Sequence, residues 1–353
     1  MAVFVRSALA ISPQNTFEEH QIPEQPVIYT DYFQNILPDF KTYFNPIERR
    51  RMSRIIKSGA VCAIEAIQQA GIEKPDMIIS GTGLGCVEDT EKFLNEVLTS
   101  ETSMHAPTAF VQSTHNSIGA LIAVRYQCHG YNVLYANKTV SFESGLLDAL
   151  MQFRDKKAEY ILINGFDELT QENYNLKKRA GLFKSERISN LDILSSNSIG
   201  SMPGEGTSSF VLTDIQSPDN LVRIDAVEIC YSLPDQNDLE SWVSAALAKE
   251  GLQTSDIDLV VLGNNGDITN DTIYKTLTNN LFPESVHAYY KHLCGDYDTA
   301  SAFGLWFFAH AMKAQILPDH CILNKKRARM INRVLLYNQD HFKNHALILL
   351  SKC

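Results

Sequence analysis

The alternation of apolar and polar positions along the chain predicts short strands separated by helices. Strand candidates are short apolar runs, whereas helix candidates place apolar side chains three or four residues apart. This order of elements is typical of α/β layers built on a mostly parallel sheet. The predicted helices cover residues 47–70, 89–98, 113–126, 144–154, 239–250, 271–281 and 299–315, and the predicted strands cover residues 1–12, 76–80, 131–139, 160–164, 210–213, 222–230, 258–262 and 346–351.

Two stretches of this pattern resemble copies of one another. Residues 73–98 and 255–281 each place an Asp before a short apolar strand, followed by a Gly, a polar turn closed by another Gly, an Asp-Thr pair and a helical pattern. We therefore predict a duplicated α/β half-domain, with functional groups gathered where the two copies meet. The matching residues lie 182 positions apart, and they pair Asp76 with Asp258, Gly81 with Gly263, Asp89 with Asp271 and Thr90 with Thr272.

A polar segment divides the chain between the two copies. Residues 216–220 read Gln-Ser-Pro-Asp-Asn and separate two predicted strands, which is typical of a connection rather than of a buried element. The length of 353 residues suits one large domain or two ordinary ones. We predict an N-terminal half over residues 1–215 and a C-terminal half over residues 216–353.

Composition and charge narrow the class of protein. The hydrophobic fraction of 44% and the charged fraction of 20% are those of a globular chain. A net charge of −10 argues against a broad nucleic-acid-binding surface. No apolar run approaches the roughly 18 residues of a membrane span, and the N-terminus lacks the features of a signal peptide. We expect a cytoplasmic protein with no membrane span and no nucleic-acid partner.

The seven cysteines do not form a recognisable framework. They are scattered, they include no Cys-x-x-Cys pair, and their number is odd. This pattern favours neither a set of disulfides nor a zinc site, so most of the cysteines are expected to be small buried side chains. We predict no metal ion and no cofactor.

Residues 135–150 combine a strand, a tight turn and a helix, an arrangement that suits a nucleophile. The free N–H groups and the dipole of a helix N-terminus lower a thiol pKa and stabilise an oxyanion, and Ser144-Gly145 permits a close approach of the helix. This segment resembles the elbow of the β-ketoacyl synthases, whose pattern is Cys-x-Ser-Gly. Further segments of the chain resemble other motifs of that family, in the family's order. They are residues 50–54, 81–85, 164–167, 203–206, Lys291 with Gly295, 317–318 and 346–350.

The resemblance covers nearly the whole chain and implies a fold. β-Ketoacyl synthases have the thiolase fold, which consists of five layers, α-β-α-β-α, built from two similar halves. The internal duplication agrees with this architecture. The expected fold class is therefore α/β, thiolase-like, with two duplicated halves.

The positions that carry the family's chemistry do not match. Condensation needs a Cys to hold the acyl chain as a thioester and two His to drive decarboxylation and stabilise the enolate and oxyanion. Alignment on Ser144-Gly145 places Phe142 at the Cys position. Asn265 falls at the first His position and Asp296 at the second, while Lys291 keeps the family's residue type. A Phe cannot form a thioester, and a carboxylate opposes developing negative charge, so no catalytic residue is expected.

Two residues remain as alternative nucleophiles. A shift of one residue in the alignment would place Ser141 in the elbow, with His115, His129 or His292 as the base that a Ser nucleophile needs. Cys294 lies near the Lys291 motif and is the other alternative. Packing or capping roles are favoured for Cys294 and His115, and a structural role in the Gly-Glu-Gly turn is favoured for Glu205.

The resemblance and the lost triad together predict a non-condensing subunit of the chain-length-factor type. It would pair with an active ketosynthase as a heterodimer, work with an acyl carrier protein, and help to set product length in polyene, polyketide or fatty-acid-type synthesis. The resemblance implies that residues 135–140 form a strand that pairs across the dimer axis. Two alternatives are an active acyltransferase or synthase with a rearranged site at Ser141 or Cys294, and a homodimeric acyl-thioester-binding protein.

Overall fold

The computed structural model describes residues 2–19, 22–99, 107–233 and 235–353. Its strands are β1 (Val3–Ile11), β2 (Met77–Gly81), β3 (Asn132–Tyr135), β4 (Tyr160–Asp167), β5 (Gly206–Thr213), β6 (Val222–Tyr231), β7 (Leu259–Leu262), β8 (Val286–Tyr289), β9 (Arg333–Asp340) and β10 (Asn344–Lys352). Its helices are α1 (Thr16–Glu19), α2 (Pro46–Arg51), α3 (Arg54–Ala70), α4 (Val87–Thr99), α5 (Pro107–Gln112), α6 (Ser117–Tyr126), α7 (Ser141–Arg154), α8 (Gln171–Arg179), α9 (Gln236–Lys249), α10 (Thr272–Thr276), α11 (Lys291–Cys294) and α12 (Ala300–Ala314).

The strand order repeats itself about the centre of the sheet. The order is β3-β2-β4-β5-β1-β6-β10-β9-β7-β8, so that each strand of the first five has a counterpart in the second five. In each half, three neighbouring strands run parallel, whereas β5 and β10 run antiparallel to their neighbours. The two halves join where β1 pairs antiparallel with β6. This symmetry is what a duplicated half-domain predicts.

The duplicated Asp residues have the same structural role in both halves. Asp76 Oδ2 accepts the backbone N–H groups at the start of β4, and Asp258 Oδ2 accepts those at the start of β9, all at 2.8 or 2.9 Å. Each Asp fixes the entry of a parallel strand beside its own. The duplicated pattern therefore reflects the packing of neighbouring strands.

Three apolar clusters define the layers. The outer cluster of the first half contains α3 and α6, and that of the second half contains α9 and α10. The central cluster contains α7, α12 and the inward-facing residues of both half-sheets. Ile78 and Val260 face the outer clusters, while their neighbours Ile79 and Val261 face the central one, as the alternation of side chains along a strand requires. The layers are α-β-α-β-α, and the predicted thiolase-like fold class is confirmed.

Several element boundaries differ from the sequence prediction. The helix predicted over residues 47–70 is two helices, because Met52 and Ser53 are extended, with ψ of 134° and 171°. α6 begins at Ser117, after the separate helix α5. Only residues 272–276 of the predicted helix 271–281 are α-helical, and a π-helical turn follows. Strands β8 and β9 were not predicted.

The polar segment that was predicted to divide the chain lies outside the strands. Residues 216–220 belong to the loop between β5 and β6, and the symmetric strand order supports a division of the chain there into residues 1–215 and 216–353. We retain that division as a proposal. Within the described part of the chain, the helices are too short or too polar for any of them to cross a bilayer.

Candidate active site and its family

The elbow between β3 and α7 differs from the predicted strand and turn. β3 ends at Tyr135, and residues 138–140 form a 3₁₀ turn in which Lys138 has a φ of 49°. A left-handed residue ends the extended chain. The strand predicted over residues 131–139 is therefore wrong beyond Tyr135. The strand predicted over residues 135–140, which was expected to pair across the dimer axis, is wrong beyond Tyr135 as well. α7 begins at Ser141 rather than at residue 144.

Both elbow hydroxyls are bonded to the backbone. Ser141 Oγ accepts from Asn137 N at 2.7 Å and donates to the Lys138 carbonyl at 2.6 Å. Ser144 Oγ donates to the Val140 carbonyl at 2.7 Å. The two serines thus hold the turn against the first residues of α7. Ser141 donates its proton to a carbonyl, so this geometry gives no support to Ser141 as a nucleophile activated by a base.

Phe142 is buried in the centre of the protein. Its side chain has 0% exposure, and its ring lies 5.5 Å from the ring of Phe210, measured between centroids. Two glycines make its position possible. A Cβ at Gly81 would lie 2.8 Å from the Phe142 backbone, and a Cβ at Gly165 would lie 2.9 Å from the Phe142 ring. The ring is therefore part of the central apolar cluster.

Lys291 and the two residues that the sequence alignment assigned to the His positions form one hydrogen-bonded network. Lys291 Nζ donates to Asp296 Oδ1 at 2.7 Å, and Asn265 Nδ2 donates to Asp296 Oδ2 at 2.9 Å. The Lys291 side chain is 4% exposed and the Asp296 side chain 25%. The structure thus brings together three positions that the alignment picked out in distant segments.

The charges of this network stabilise one another. Burial opposes ionisation of Asp296, but Lys291, Ser201 and Asn265 hold the pKa of that carboxyl below its usual range. Burial would lower the pKa of Lys291, yet Asp296 keeps it above its ordinary value. The Asp296 carboxylate thus neutralises the charge of the buried Lys291 ammonium. Asp296 therefore occupies the donor that a developing oxyanion would need.

A pocket of about 300 Å³ opens beside the network and is rich in carboxylates. Burial, together with the neighbouring Asp167 charge, raises the pKa of Asp298 to about 7. With four Asp against two Lys, the lining disfavours an enolate or a tetrahedral oxyanion, since both need donors or cations. The charged residues that line the pocket are Lys138, Lys177, Asp267, Asp296, Asp298 and Asp340.

The other sequence candidates lie apart from a catalytic arrangement. Cys294 is fully buried, and its Sγ is 3.3 Å from the Gly295 carbonyl; burial raises the pKa of the thiol far above its ordinary value. His115 is exposed in the turn before α6, beside Gly85, and His129 is also exposed. His292 Nε2 lies 3.0 Å from His320 Nδ1. The structure does not place these groups at the elbow hydroxyl.

Glu205 binds several parts of the first half together. Its carboxylate pairs with the Arg54 guanidinium through both oxygens. Oε1 also accepts from Asn35 N, and Oε2 accepts from Leu169 N, each at 3.0 Å. The side chain is buried, and all of these partners are protein groups. This geometry agrees with the structural role favoured for Glu205.

Residues 34–184, which include the elbow, match the family model of the β-ketoacyl synthase N-terminal domain. Over these residues the chain is similar to that domain. A search of curated protein sequences finds no match to the chain.

Solved ketosynthase structures share this fold over the whole chain. The ishigamide ketosynthase/chain length factor superposes with a TM-score of 0.84 at 16% identity, covering 100% of this chain and 99% of that one. A ketosynthase with its chain length factor from Xenorhabdus doucetiae gives 0.74 at 13%, with 100% and 98% covered. A type II polyketide synthase acyl carrier protein complexed with its ketosynthase, bound to the hexaketide, gives 0.76 at 14%, with 100% and 99% covered. At these identities the likeness concerns the fold.

A buried acid next to Phe142 was missed by the sequence reasoning. Glu143 has 0% exposure, and neither of its carboxyl oxygens has a hydrogen-bond partner of good geometry among the residues described. Burial raises the pKa of Glu143 to about 7, and the Ser301 hydroxyl and the Lys291 ammonium offset this only in part. The sequence did contain one indication of this buried acid. Glu143 lies at the start of a helix, and its neighbours in the sequence are all apolar or small.

Glu143 should make the stability of the protein depend on pH. The unfolded chain loses the proton near the ordinary pKa of a Glu side chain, 4.5, and the folded chain loses it near a pKa of about 7. The free energy of unfolding therefore falls as pH rises between these values and then levels off. The free energy of unfolding of Glu143→Gln minus that of the wild type should therefore increase between pH 4 and pH 8. The expected increase is on the order of 3 kcal/mol.

Urea unfolding of both proteins across this pH range measures the effect. Glu172→Gln, at an exposed position of α8, is the matched control and should show no such pH-dependent difference. A Glu143→Gln effect of equal size at both ends of the range would contradict the raised pKa.

Proposed function

We propose that this chain is a non-condensing, chain-length-factor-type subunit that pairs with an active β-ketoacyl synthase. The observation that carries the proposal is the position of Phe142. Alignment on Ser144-Gly145 puts Phe142 at the family's thiol position, and its ring is fully buried at the start of α7. A Phe side chain has no group that forms a thioester.

The surroundings of Phe142 support the same conclusion. Lys291, Asn265 and Asp296 satisfy one another, and the adjoining pocket presents carboxylates. Decarboxylation and condensation both develop negative charge that needs hydrogen-bond donors. Restoring a thiol alone leaves these deficits in place. We therefore expect Phe142→Cys to remain without condensing activity.

The edge of the sheet offers a place for the partner. β3 is the outermost strand of the first half, and its residues are half-buried. α6 lies against this edge, where Asn132 Nδ2 donates to the Gly119 carbonyl at 3.1 Å. An unpaired edge strand provides a row of free N–H and C=O groups for a second chain. The expected pairing strand is thus β3 rather than residues 135–140.

Helices α4, α5 and α6, of which α6 contacts β3, carry apolar side chains that are exposed to solvent. On α4, α5 and α6 they include Leu98 at 80% exposure, Phe110 at 57%, Val111 at 61% and Val124 at 78%. A contiguous group of exposed apolar residues is typical of a protein interface. Together with the strand edge, these residues form the proposed partner surface.

The other features of the proposal follow from the resemblance. An acyl carrier protein would deliver the growing chain to the partner's thiol, and the products would be polyenes, polyketides or fatty-acid-type chains. A place in the cytoplasm is part of the same proposal. The solved ketosynthase complexes named above contain a chain length factor or a carrier protein, and they support these partners by likeness of fold.

Co-expression with a ketosynthase from the same genome tests the pairing. We expect a one-to-one heterodimer that condenses malonyl units, whereas the chain alone or with Phe142→Cys condenses none. A tight homodimer that no ketosynthase disrupts would favour the acyl-thioester-binding alternative. Condensation by the isolated chain would rule out the proposal.

A surface substitution locates the interface. Val124→Asp should weaken the heterodimer at least tenfold, because it brings an unpaired charge into the contact. Met330→Asp is the control; it is 52% exposed and lies before β9 in the other half. Dissociation constants from titration of labelled partners distinguish the two. Equal effects of both variants would contradict an interface at the β3 edge.

A further inference from the structure

Three metal-ligating side chains from two separate segments meet beside α11. His292 belongs to α11, while His320 and Cys321 belong to the short turn Asp319–Cys321. His292 Nε2 lies 3.0 Å from His320 Nδ1, and Cys321 Sγ lies 3.9 Å from the first atom and 3.4 Å from the second. All three ligand atoms lie within 4.8 Å of one another. We call these residues the His-His-Cys cluster.

The orientation of His320 is fixed by the backbone. His320 Nε2 lies 3.2 Å from the Pro23 carbonyl. A carbonyl only accepts, so Nε2 carries the proton, and in the neutral ring the Nδ1 lone pair faces the other two residues. An imidazole that donates its second N–H to a carbonyl in this way has the arrangement typical of metal-ligating His.

Hydrogen bonding alone accounts poorly for the cluster. His292 Nε2 and Cys321 Sγ both approach the same His320 Nδ1 atom, which offers a single lone pair. If Cys321 donates to His320, the His292 N–H has only the Cys321 sulfur to turn to, at the long distance of 3.9 Å, and His292 and Cys321 each have 0% exposure. A cation between the three atoms would satisfy all of their lone pairs at once.

The spacing of the ligand atoms fits a small tetrahedral ion. Bond lengths of about 2.0–2.1 Å to imidazole nitrogen and about 2.3 Å to thiolate sulfur place ligand nitrogens about 3.4 Å apart and nitrogen and sulfur about 3.6 Å apart. The observed distances of 3.0, 3.4 and 3.9 Å lie on either side of these values. Small side-chain movements would suffice to admit the ion.

We propose that the His-His-Cys cluster binds one zinc-type divalent cation, with water as the fourth ligand. Two imidazoles and one thiolate are a donor set that zinc prefers. His320 is only partly buried, and a water as the fourth ligand would have to enter from its side of the cluster. On binding, the Cys321 thiol releases its proton to solvent, and no other bond is broken.

The ion would stabilise the second half of the candidate site. α11 carries Lys291 immediately before His292, and the cluster would tie this helix to residues 319–321 and, through His320, to Pro23. The sequence did not show this site because its residues are separated by 27 intervening positions and contain no Cys-x-x-Cys pair. The inference is independent of the proposed pairing with a ketosynthase.

Cobalt binding tests the proposal directly. The full chain is treated with chelator under reducing conditions and titrated with Co²⁺. The expected result is one equivalent bound, with the d–d bands of a tetrahedral ion and a thiolate-to-cobalt charge-transfer band. Zinc should then displace the cobalt. Absence of both the spectrum and stoichiometric zinc would overturn the proposal.

Variants assign the ligands. Cys321→Ser should abolish the charge-transfer band, and His320→Gln should lower zinc affinity by more than about 100-fold, since even changes outside the ligand shell cost about 10- to 100-fold. Cys230→Ser and His341→Gln are controls at more exposed positions and should leave binding unchanged. A charge-transfer band that persists in Cys321→Ser would contradict the assignment. Circular dichroism of each variant checks that it is folded.

Discussion

Glu205→Ala should lower the free energy of unfolding by about 3–5 kcal/mol, because it leaves a partly buried guanidinium without its partner. The Arg54 side chain is 30% exposed and that of Glu205 1%. The backbone N–H groups of Asn35 and Leu169 also lose their acceptor. The substitution therefore disconnects the start of α3 from the loop after β4.

A surface pair provides the matched comparison for Glu205. Asp219 pairs with Arg6 at 3.1 Å, and its side chain is 74% exposed. Asp219→Ala should cost less than about 1 kcal/mol. Urea unfolding at neutral pH measures both variants. Similar losses for the two would show that the Glu205 contacts contribute little to stability.

Asp296→Ala should destabilise the protein by about 3–5 kcal/mol at neutral pH, because it removes the hydrogen-bonded counter-charge of the buried Lys291 ammonium. The deficit should shrink at high pH. Without Asp296, burial lowers the pKa of Lys291, so the ammonium can lose its proton and the unpaired charge disappears.

Removing both charges separates this effect from simple loss of packing. In Lys291→Met combined with Asp296→Ala the buried charge is absent, and the double variant should be more stable than Asp296→Ala alone. Thermal and urea unfolding of the three proteins give the comparison. If the double variant is the less stable one, the ion pair is not the source of the loss.

The layers of the fold were predictable because short stretches of sequence determine the strands and helices that form them. The duplicated Asp76 and Asp258 each cap a neighbouring strand, and apolar strands next to amphipathic helices leave few arrangements. β8 has only four residues, whereas β9 contains the apolar run 334–337 and was overlooked by the sequence reasoning. The break at Met52–Ser53 was missed because both sides keep helical spacing.

The candidate site was predictable only in part. Motif order placed Phe142, Asn265, Lys291 and Asp296 at family positions, and the structure shows three of these in one hydrogen-bonded network. The proximity of His292 to His320 depends on tertiary contacts that no spacing reveals. The burial of Glu143 likewise follows from how α7 enters the central layer.

The alternative of a rearranged active site finds no support in the geometry. Ser141 Oγ is bonded to backbone groups on both sides, and Cys294 is a buried thiol with a raised pKa. A serine or cysteine nucleophile needs a base or a lowered pKa. We retain the non-catalytic assignment of this chain as our proposal.

Intact-protein mass spectrometry of the reconstituted pair tests this assignment most directly. The chain and its ketosynthase partner are incubated with an acyl thioester, and the mass of each subunit is measured. We predict a stable acyl adduct on the partner and none on this chain, in the wild type and in Ser141→Ala alike. An acyl adduct on this chain that disappears with Ser141→Ala or Cys294→Ser would contradict the account.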